Sequence, residues 1–393
     1  MNVLFCLLSD QHIPNLLSVH HYAPDQLVLL ESAEMQRKGV AQHFLEALSS
    51  GGRDYASRCH VQRLPATGDL TQIRAALQAA YGLFPSGAWI ANVTGGTKPM
   101  SIAAYEFFKA VGGKIVYTDL SQPNAILDLA TGVSETFSHR PSVEEFVTGY
   151  GFRLQKPAAE LQAAKDRATQ PLWRDTAFRL AAHASGHDVV EIDDSQWDTF
   201  RKKGGELPAD KFRFPDADLH SWWLGSAASR KLDKHEGEFL TGGWLEVFFY
   251  NLFSRHADAL AIWDVALGQN FSRDVGPGEV PNDIDVSFMH NHGLAMVECK
   301  SGTQEHDLSR GTDTLYKVEA VANQLRALRV RSFLVTTGQN VLDKAGKLRS
   351  GLESRAKLYN CTILLREQIS ELAALELADS PEVAAKVKQC FQL

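Results

Sequence analysis

Cysteine is scarce and scattered: the chain has five (Cys6, Cys59, Cys299, Cys361 and Cys390), an odd number with no Cys-x-x-Cys pair. That pattern excludes a disulfide framework and a zinc ribbon and leaves reduced, mostly buried thiols. No uninterrupted apolar run approaches the ~18 residues of a membrane span, so no membrane insertion is expected. The first residues, Met1 to Leu8, show neither a basic start nor a small-residue cleavage site. They read as a strand rather than a signal peptide, and the expected location is cytoplasmic. Positive charge is not in excess. With 40 Lys and Arg against 47 Asp and Glu the net charge is −7, so whole-protein attraction to polyanions is excluded and any nucleic-acid contact must be local. Local basic patches occur at Arg201-Lys202-Lys203, at Arg230-Lys231 with Lys234, and from Arg310 to Arg331 with Lys317, Arg326 and Arg329. Each taken alone is most simply a solvated face.

What the sequence does have is 393 residues, enough for two domains with their own cores. From residue 2 to about 130, β-rich runs alternate with helical stretches, the pattern of a mostly parallel sheet flanked by helices. Strands are expected at Val3–Leu8, Gln26–Glu31, Cys59–Leu64, Ala88–Val93 and Lys114–Thr118, with a further edge strand near Ala125–Leu129. Helices are expected over Glu34–Leu48 and Leu70–Leu83, where Val40, Phe44 and Leu48 share one face. Between about 140 and 235 the pattern breaks into helical fragments (Ala158–Arg167, Trp173–Ala182) and a polar stretch from Ser195 to Asp218. This reads as a helical connector, with a small winged-helix-like unit one form it could take. A second ordered pattern runs from near Glu238 to about Leu365. The expected division is 1–140, 141–235 and 236–393.

The strand Trp89–Val93 runs into Thr94-Gly95-Gly96-Thr97-Lys98-Pro99-Met100-Ser101 and then an apolar helix. Two glycines allow close backbone approach, Pro99 suits a first helical turn, and the free N–H groups with Lys98 favour a phosphate there. The Walker spacing is absent, so triphosphate hydrolysis is not implied. At the end of the first strand, Ser9-Asp10-Gln11-His12 forms a polar loop. Carboxyl ends of parallel strands share one edge, so this loop and Thr94–Lys98 are expected to face one pocket. His12 is within reach of a base or ribose there, or else solvated.

These two loops resemble the CARF domain, the Rossmann-like sensor of cyclic oligoadenylates in type III CRISPR defence, over about residues 1–140. The resemblance implies a homodimer that binds one cyclic oligoadenylate across its interface, with Ser9, Gln11, Thr94, Gly95, Gly96, Thr97 and Lys98 as contacts and Asp10 in the same loop. Cyclic tetra-adenylate is the ring size it favours.

In the second half, Gly293–Lys300 reads as an apolar strand ending with Glu298 and Lys300 on one face, two residues apart. Upstream, Asn282–Phe288 reads as a strand with Asp283 and Asp285 on one face, joined to the next by a turn at 291–293. Paired strands would bring Asp285 beside Glu298 and Lys300, a crowding of charge that a divalent cation relieves. Phosphodiester hydrolysis uses Mg2+ or Mn2+ held by carboxylates and a group that positions water. Asp285 and Glu298, with the Cys299 backbone carbonyl, suit the metal, and Lys300 the water. The apolar stretch Gly243–Phe249 contributes one acid, Glu246.

The order of these elements resembles the restriction-endonuclease-like PD-(D/E)xK core, which implies Glu246, Asp285, Glu298 and Lys300 as catalytic residues. Asp283 stays open as the rival to Asp285, which family matches favour. The following helix, Asp313–Leu328, would carry Lys317 either toward substrate phosphate or paired with Asp313. His290 and His292 read as solvent-facing turn residues. Trp222 and Trp223 read as packing rather than base stacking.

The fold class expected is therefore α/β: an N-terminal Rossmann-like CARF domain with a mostly parallel sheet and a C-terminal restriction-endonuclease-like domain. Joined, the resemblances imply a metal-dependent endonuclease activated by cyclic oligoadenylate, acting on DNA (single-stranded or nicked duplex) or single-stranded RNA. A ring nuclease that degrades its own ligand, a non-cleaving transcription regulator and a nuclease indifferent to ligand remain alternatives.

Overall fold

The computed structural model describes residues 1–120, 124–185, 189–273, 282–302 and 329–393. In the first half β1 (Asn2–Leu7), β2 (Gln26–Ser32), β3 (Cys59–Leu64), β4 (Ala88–Asn92), β5 (Lys114–Asp119), β6 (Ala125–Asp128) and β7 (Ser134–Thr136) form one sheet of order β3-β2-β1-β4-β5-β6-β7. The first five run parallel and the edge strands β6 and β7 antiparallel. Val3 to Leu7 are wholly buried, as an unbroken apolar strand at the centre of a sheet covered on both faces must be. Because β1 and β4 are neighbours, the Ser9–Gln11 and Thr94–Lys98 loops leave the same sheet edge side by side. One expected helix is two: Ala33–Arg37 and Val40–Ser50 are separated by Gly39, whose φ of 68° is left-handed and stops the first.

The second half is built on a sheet of order β15-β14-β13-β12-β11-β8, from β8 (Phe152–Leu154), β11 (Ile262–Arg273), β12 (Asn282–His290), β13 (Gly293–Lys300), β14 (Val330–Thr336) and β15 (Cys361–Leu364). β12 and β13 form a hairpin whose two loop residues, Asn291 and His292, have φ of 48° and 58°. Both positive angles match the tight turn that keeps strand twist. The expected helix over Asp313–Leu328, with Lys317, lies outside the described residues.

The segment 141–235 packs onto this second sheet. Phe178, Phe200, Phe212 and Trp223 share a core with Phe239, Trp244, Phe248 and Phe391. β9 (Gly205–Pro208) and β10 (Ser229–Leu232) pair antiparallel beside the helices Asp194–Lys203 and Ala217–Leu224. Trp223 is buried and donates its indole N–H to Thr176 Oγ1 at 2.9 Å, while Trp222 lies at the surface under the Arg179 guanidinium.

The two halves meet along an apolar seam. Ile13, Leu17, Val116 and Ile126 of the first half pack with Phe146, Val147 and Phe152, and these with Phe271, Ile284, Met289, Leu294 and Met296 of the second. Polar contacts register it: Val143 N–H donates to Asp264 Oδ2 at 2.6 Å, and the Trp263 indole to the Pro141 carbonyl at 2.7 Å. Immediately after the helix Val143–Gly149 the chain enters β8, which pairs with the end of β11. Replacing Phe146, 1% exposed at the centre of the seam, tests it. Phe146→Ala is expected to cost about 3–5 kcal/mol, read by chemical denaturation. A loss below about 1 kcal/mol would contradict a closely packed seam.

Candidate functional site

The carboxyl edge of the first sheet is organised by a residue that carried no expected role, Asn92. Asn92 ends β4 fully buried, and its Nδ2 donates to the Pro14 carbonyl at 3.2 Å, Asn15 Oδ1 at 3.0 Å and Ser18 Oγ at 3.0 Å. Its Oδ1 accepts from the Thr94 N–H at 3.1 Å and hydroxyl at 2.6 Å. Asn15 in turn donates to the Leu7 carbonyl at 2.8 Å. One buried amide thus fixes both loops, which a single polar residue in the run Trp89-Ile90-Ala91-Asn92 hints at. Gly95 seals the contact, because a Cβ there would stand 2.2 Å from the Leu7 carbonyl oxygen.

Thr97 and Lys98 are exposed at the start of the helix Lys98–Ala110, where no side chain caps the N-terminal N–H groups. Those donors and the helix dipole are open to an anion. Ser9 Oγ closes the first loop, accepting from the Gln11 N–H at 3.3 Å. Asp10, the acid of the first loop, is neutralised by Lys38, whose Nζ lies 2.9 Å and 3.0 Å from its two oxygens. His12 is neither solvated nor turned to a ligand: it is 2% exposed, packed on Tyr150 and Phe146. Burial holds its imidazole down at about 3. It fills the space that a side chain at position 149 would need, since a Cβ on Gly149 would stand 2.2 Å from His12 Nε2. Gln11 Oε1 accepts from the Tyr150 hydroxyl at 3.4 Å. The first loop therefore touches the seam directly.

On the other side, the β12–β13 ladder runs from His290↔Gly293 to Val286↔Val297 and stops there. Asp285 and Glu298 are the next residues on each strand. Asp285 is 8% exposed and its Oδ2 accepts the Cys299 N–H at 2.6 Å, so the carboxylate replaces a backbone partner where the strands part. Lys300 Nζ lies 2.8 Å from Glu298 Oε1 and 3.9 Å from Asp285 Oδ2. Nearly half of the Lys300 side chain, 46%, is open to solvent, so the ammonium forms the mouth of the cluster and the carboxylates its floor.

The electrostatics follow from that crowding. Burial and the Glu298 charge push Asp285 up to about 7, against pulls from Lys300 and the Cys299 N–H. Burial and Asp285 hold Glu246 well above the ordinary carboxylate range, which places Glu246 in the same field. Burial pulls the Lys300 ammonium down, but Asp285 and Glu298 outweigh it and keep it charged. Asp283, the rival acid, is 58% exposed at the strand entrance, 4.0 Å from Lys156 Nζ. Cys299 is buried in the core cluster, and burial together with the Asp285 and Glu246 charges pushes its thiol well up. Asp285 and Glu298 supply oxygen donors of the kind that suits a hard divalent cation such as Mg2+ or Mn2+, and Glu246 adds its charge to the same field.

Glu246 reaches the cluster through an irregular turn. Residues Phe239–Gly243 form a kink before the helix Trp244–Arg255, with Gly242 at a non-helical φ of 136°. A Cβ on Gly242 would stand 2.5 Å from Ser301 Oγ, so only glycine lets this turn close on the end of β13. His290 is half-buried and His292 is not solvent-facing. His292 is 4% exposed with Nε2 3.0 Å from Asn124 Oδ1 across the seam, and burial lowers both imidazoles to about 4.

An acid whose folded value is raised makes the folded state take up protons that the unfolded state has lost. Asp285 therefore weakens the cation-free protein progressively as pH rises from about 4 to about 7. Asp285→Asn is expected to leave Tm unchanged near pH 4 and to raise it by about 2–4 °C at pH 8 in the presence of chelator. A lower Tm at pH 8 would show that the carboxylate is satisfied as it stands.

Two family models match the chain: the Card1 CARF domain over residues 3–146 and the Card1-like endonuclease domain over residues 233–369. Among solved structures, Can2 from Sulfobacillus thermosulfidooxidans in complex with cyclic tetra-adenylate is 23% identical, with a TM-score of 0.65 over 96% of this chain and 99% of Can2. Protein VC1899 from Vibrio cholerae is 17% identical, with a TM-score of 0.73 over 98% of each chain. A type III CRISPR defence DNA nuclease activated by cyclic oligoadenylate is 17% identical, with a TM-score of 0.50 over 90% of this chain and 51% of its own. At these identities the likeness is one of fold, and with the first two it runs the length of both chains. Comparison with curated proteins gives no match. The anion-ready edge lies inside the first matched domain and the carboxylate cluster inside the second, so the chain belongs with the CARF-fused nucleases, a Card1-type CARF domain joined to a Card1-like endonuclease domain.

Proposed function

We propose that this protein is a metal-dependent endonuclease switched on by a cyclic oligoadenylate, cyclic tetra-adenylate by preference, in type III CRISPR antiviral defence. The observation that carries the reading is Lys300 held between Glu298 and Asp285 where β12 and β13 part, with Glu246 in the same field. Residues 1–140 act as sensor, 141–235 as connector and 236–393 as nuclease, in a cytoplasmic homodimer.

In the hydrolysis, a water oxygen bonds to phosphorus as the phosphorus–oxygen bond to the leaving sugar breaks, the water giving up one proton to solvent and the leaving sugar oxygen taking one from solvent. A divalent cation, Mn2+ or Mg2+, held by Asp285, Glu298 and the Cys299 carbonyl would supply the charge neutralisation this needs. Lys300, kept charged by its carboxylates, donates hydrogen bonds to the incoming water or to a non-bridging phosphate oxygen. Glu246 sets the depth of negative potential from the helix side. The substrates proposed are DNA, single-stranded or nicked, and single-stranded RNA, because contacts to phosphate carry no sugar or base information.

The activator would sit on Ser9, Asp10, Gln11 and Thr94–Lys98 across the dimer, its phosphates on the open N–H groups. Movement of the first loop reaches Tyr150 and Gly149 through Gln11 and His12, and β8 carries it to β11. Ligand then shifts the population toward an arrangement with both nuclease centres on one substrate cleft.

The test is cleavage of single-stranded DNA, single-stranded RNA and plasmid with Mn2+, with and without cyclic tetra-adenylate or cyclic hexa-adenylate, beside Lys300→Ala. Cleavage is expected with ligand only, and Lys300→Ala is expected to lose about 10²–10³-fold in rate. Equal cleavage without ligand would overturn the switch, full activity of Lys300→Ala the site, and no cleavage of any substrate the enzyme.

A further inference from the structure

Apart from both sites, three ligand-type side chains converge where the sensor half meets the helix Val143–Gly149. His20 lies in the last turn of the helix Ile13–Tyr22, His139 in the loop entering Val143–Gly149, and Glu145 in the first turn of that helix. Glu145 Oε1 is 3.1 Å from His20 Nε2 and 3.0 Å from His139 Nε2. The imidazoles stack face to face, with centroids 3.4 Å apart and planes within 4°. The side chains of His20 and Glu145 are 5% and 3% exposed, while His139 keeps 23% as an opening to solvent. The surroundings are shaped to the cluster. The second Glu145 oxygen accepts the Ser142 N–H at 2.8 Å, and a Cβ on Gly51 would stand 2.0 Å from Glu145 Oε1.

His20 is the anomaly. Its Nε2 is buried and makes no aligned hydrogen bond, although a carboxylate oxygen lies 3.1 Å away. Two imidazoles stacked this closely repel if both are cationic, and a neutral ring that turns its lone pair to a carboxylate is repelled by it. A cation bound between the three atoms removes both conflicts. In a tetrahedral zinc site, bonds of about 2.0–2.1 Å put neighbouring ligand atoms about 3.3 Å apart, close to the two nitrogen–oxygen separations here.

We infer that His20 Nε2, His139 Nε2 and Glu145 Oε1 form a second metal site, for Zn2+ or a like borderline transition ion, with water in the fourth position through the open edge of His139. Binding requires each ring to swing about χ2, a soft torsion, so that the stack opens and the lone pairs converge. Two imidazoles and one carboxylate select such an ion, whereas the oxygen-only nuclease cluster selects Mg2+ or Mn2+. The ion would tie the helix that follows the Ser9–Gln11 loop to the helix that leads into β8. It would thereby fasten the sensor to the seam.

The full chain carrying Asp285→Asn and Glu298→Gln, which removes the nuclease donors, is stripped with chelator and titrated with Co2+. The expected result is about one Co2+ per chain with the intense visible bands of a tetrahedral ion, bleached by Zn2+. His139→Asn in the same background, chosen because His139 is partly exposed, is expected to bind about 100-fold more weakly with unchanged circular dichroism. Zn2+ should also raise Tm of the parent and not of His139→Asn. Absence of the bands, or bands and Tm shift unchanged by His139→Asn, would overturn the site and leave a carboxylate-bridged histidine pair. Neither readout uses nuclease activity, so the outcome is independent of the function proposed above.

Discussion

The apolar seam around Phe146, Phe152 and Phe271 is the constraint on which the rest depends. Without it, a parallel sheet ending in an anion-ready edge and a mixed sheet ending in a carboxylate cluster would be two proteins on a string. With it, residues from both sheets bury the same side chains, and a packed interior transmits displacement rather than absorbing it. The polar contacts at its margin, Val143 to Asp264 and Trp263 to Pro141, fix the register of one half on the other. Burial in the seam also explains why His12 and His292, polar residues in turns, are held neutral.

The carboxylate cluster shows the opposite physics, an arrangement that costs stability until it is used. Asp285, Glu298 and Glu246 crowd like charge in a nearly closed place, and Lys300 offsets part of it. Such a set persists because the surrounding structure over-determines it: the Cys299 N–H pins Asp285, and the turn at Gly242 presses the helix of Glu246 against the end of β13. The same crowding of carboxylates would favour the binding of a divalent cation.

Much of this was legible because the chemistry sits at strand ends. Period-two alternation places Glu298 with Lys300, the Asn-His-Gly turn pairs their strand with that of Asp285, and Gly95-Gly96 before Pro99 marks a helix start built for an anion. What could not be read depends on distant partners. Asn92 is one polar residue in an apolar strand until Asn15, Ser18 and Thr94 arrive around it. Gly242 is an ordinary glycine until Ser301 closes on it. The fragments between 141 and 235 look weak in sequence because their apolar faces pair with elements far along the chain, as Phe178 does with Phe248. His12 misleads for the same reason, since nothing nearby announces Tyr150 and Phe146.

The central claim is that the two sites share one equilibrium, and linkage makes it measurable without catalysis. If activator favours the state that holds substrate, substrate must favour activator by the same factor. The measurement is the affinity of the Lys300→Ala protein for cyclic tetra-adenylate, by calorimetry, with and without saturating single-stranded DNA or RNA. The account predicts tighter binding in the presence of the nucleic acid that the enzyme cuts, by about 5-fold or more. An affinity unchanged by any nucleic acid would contradict it.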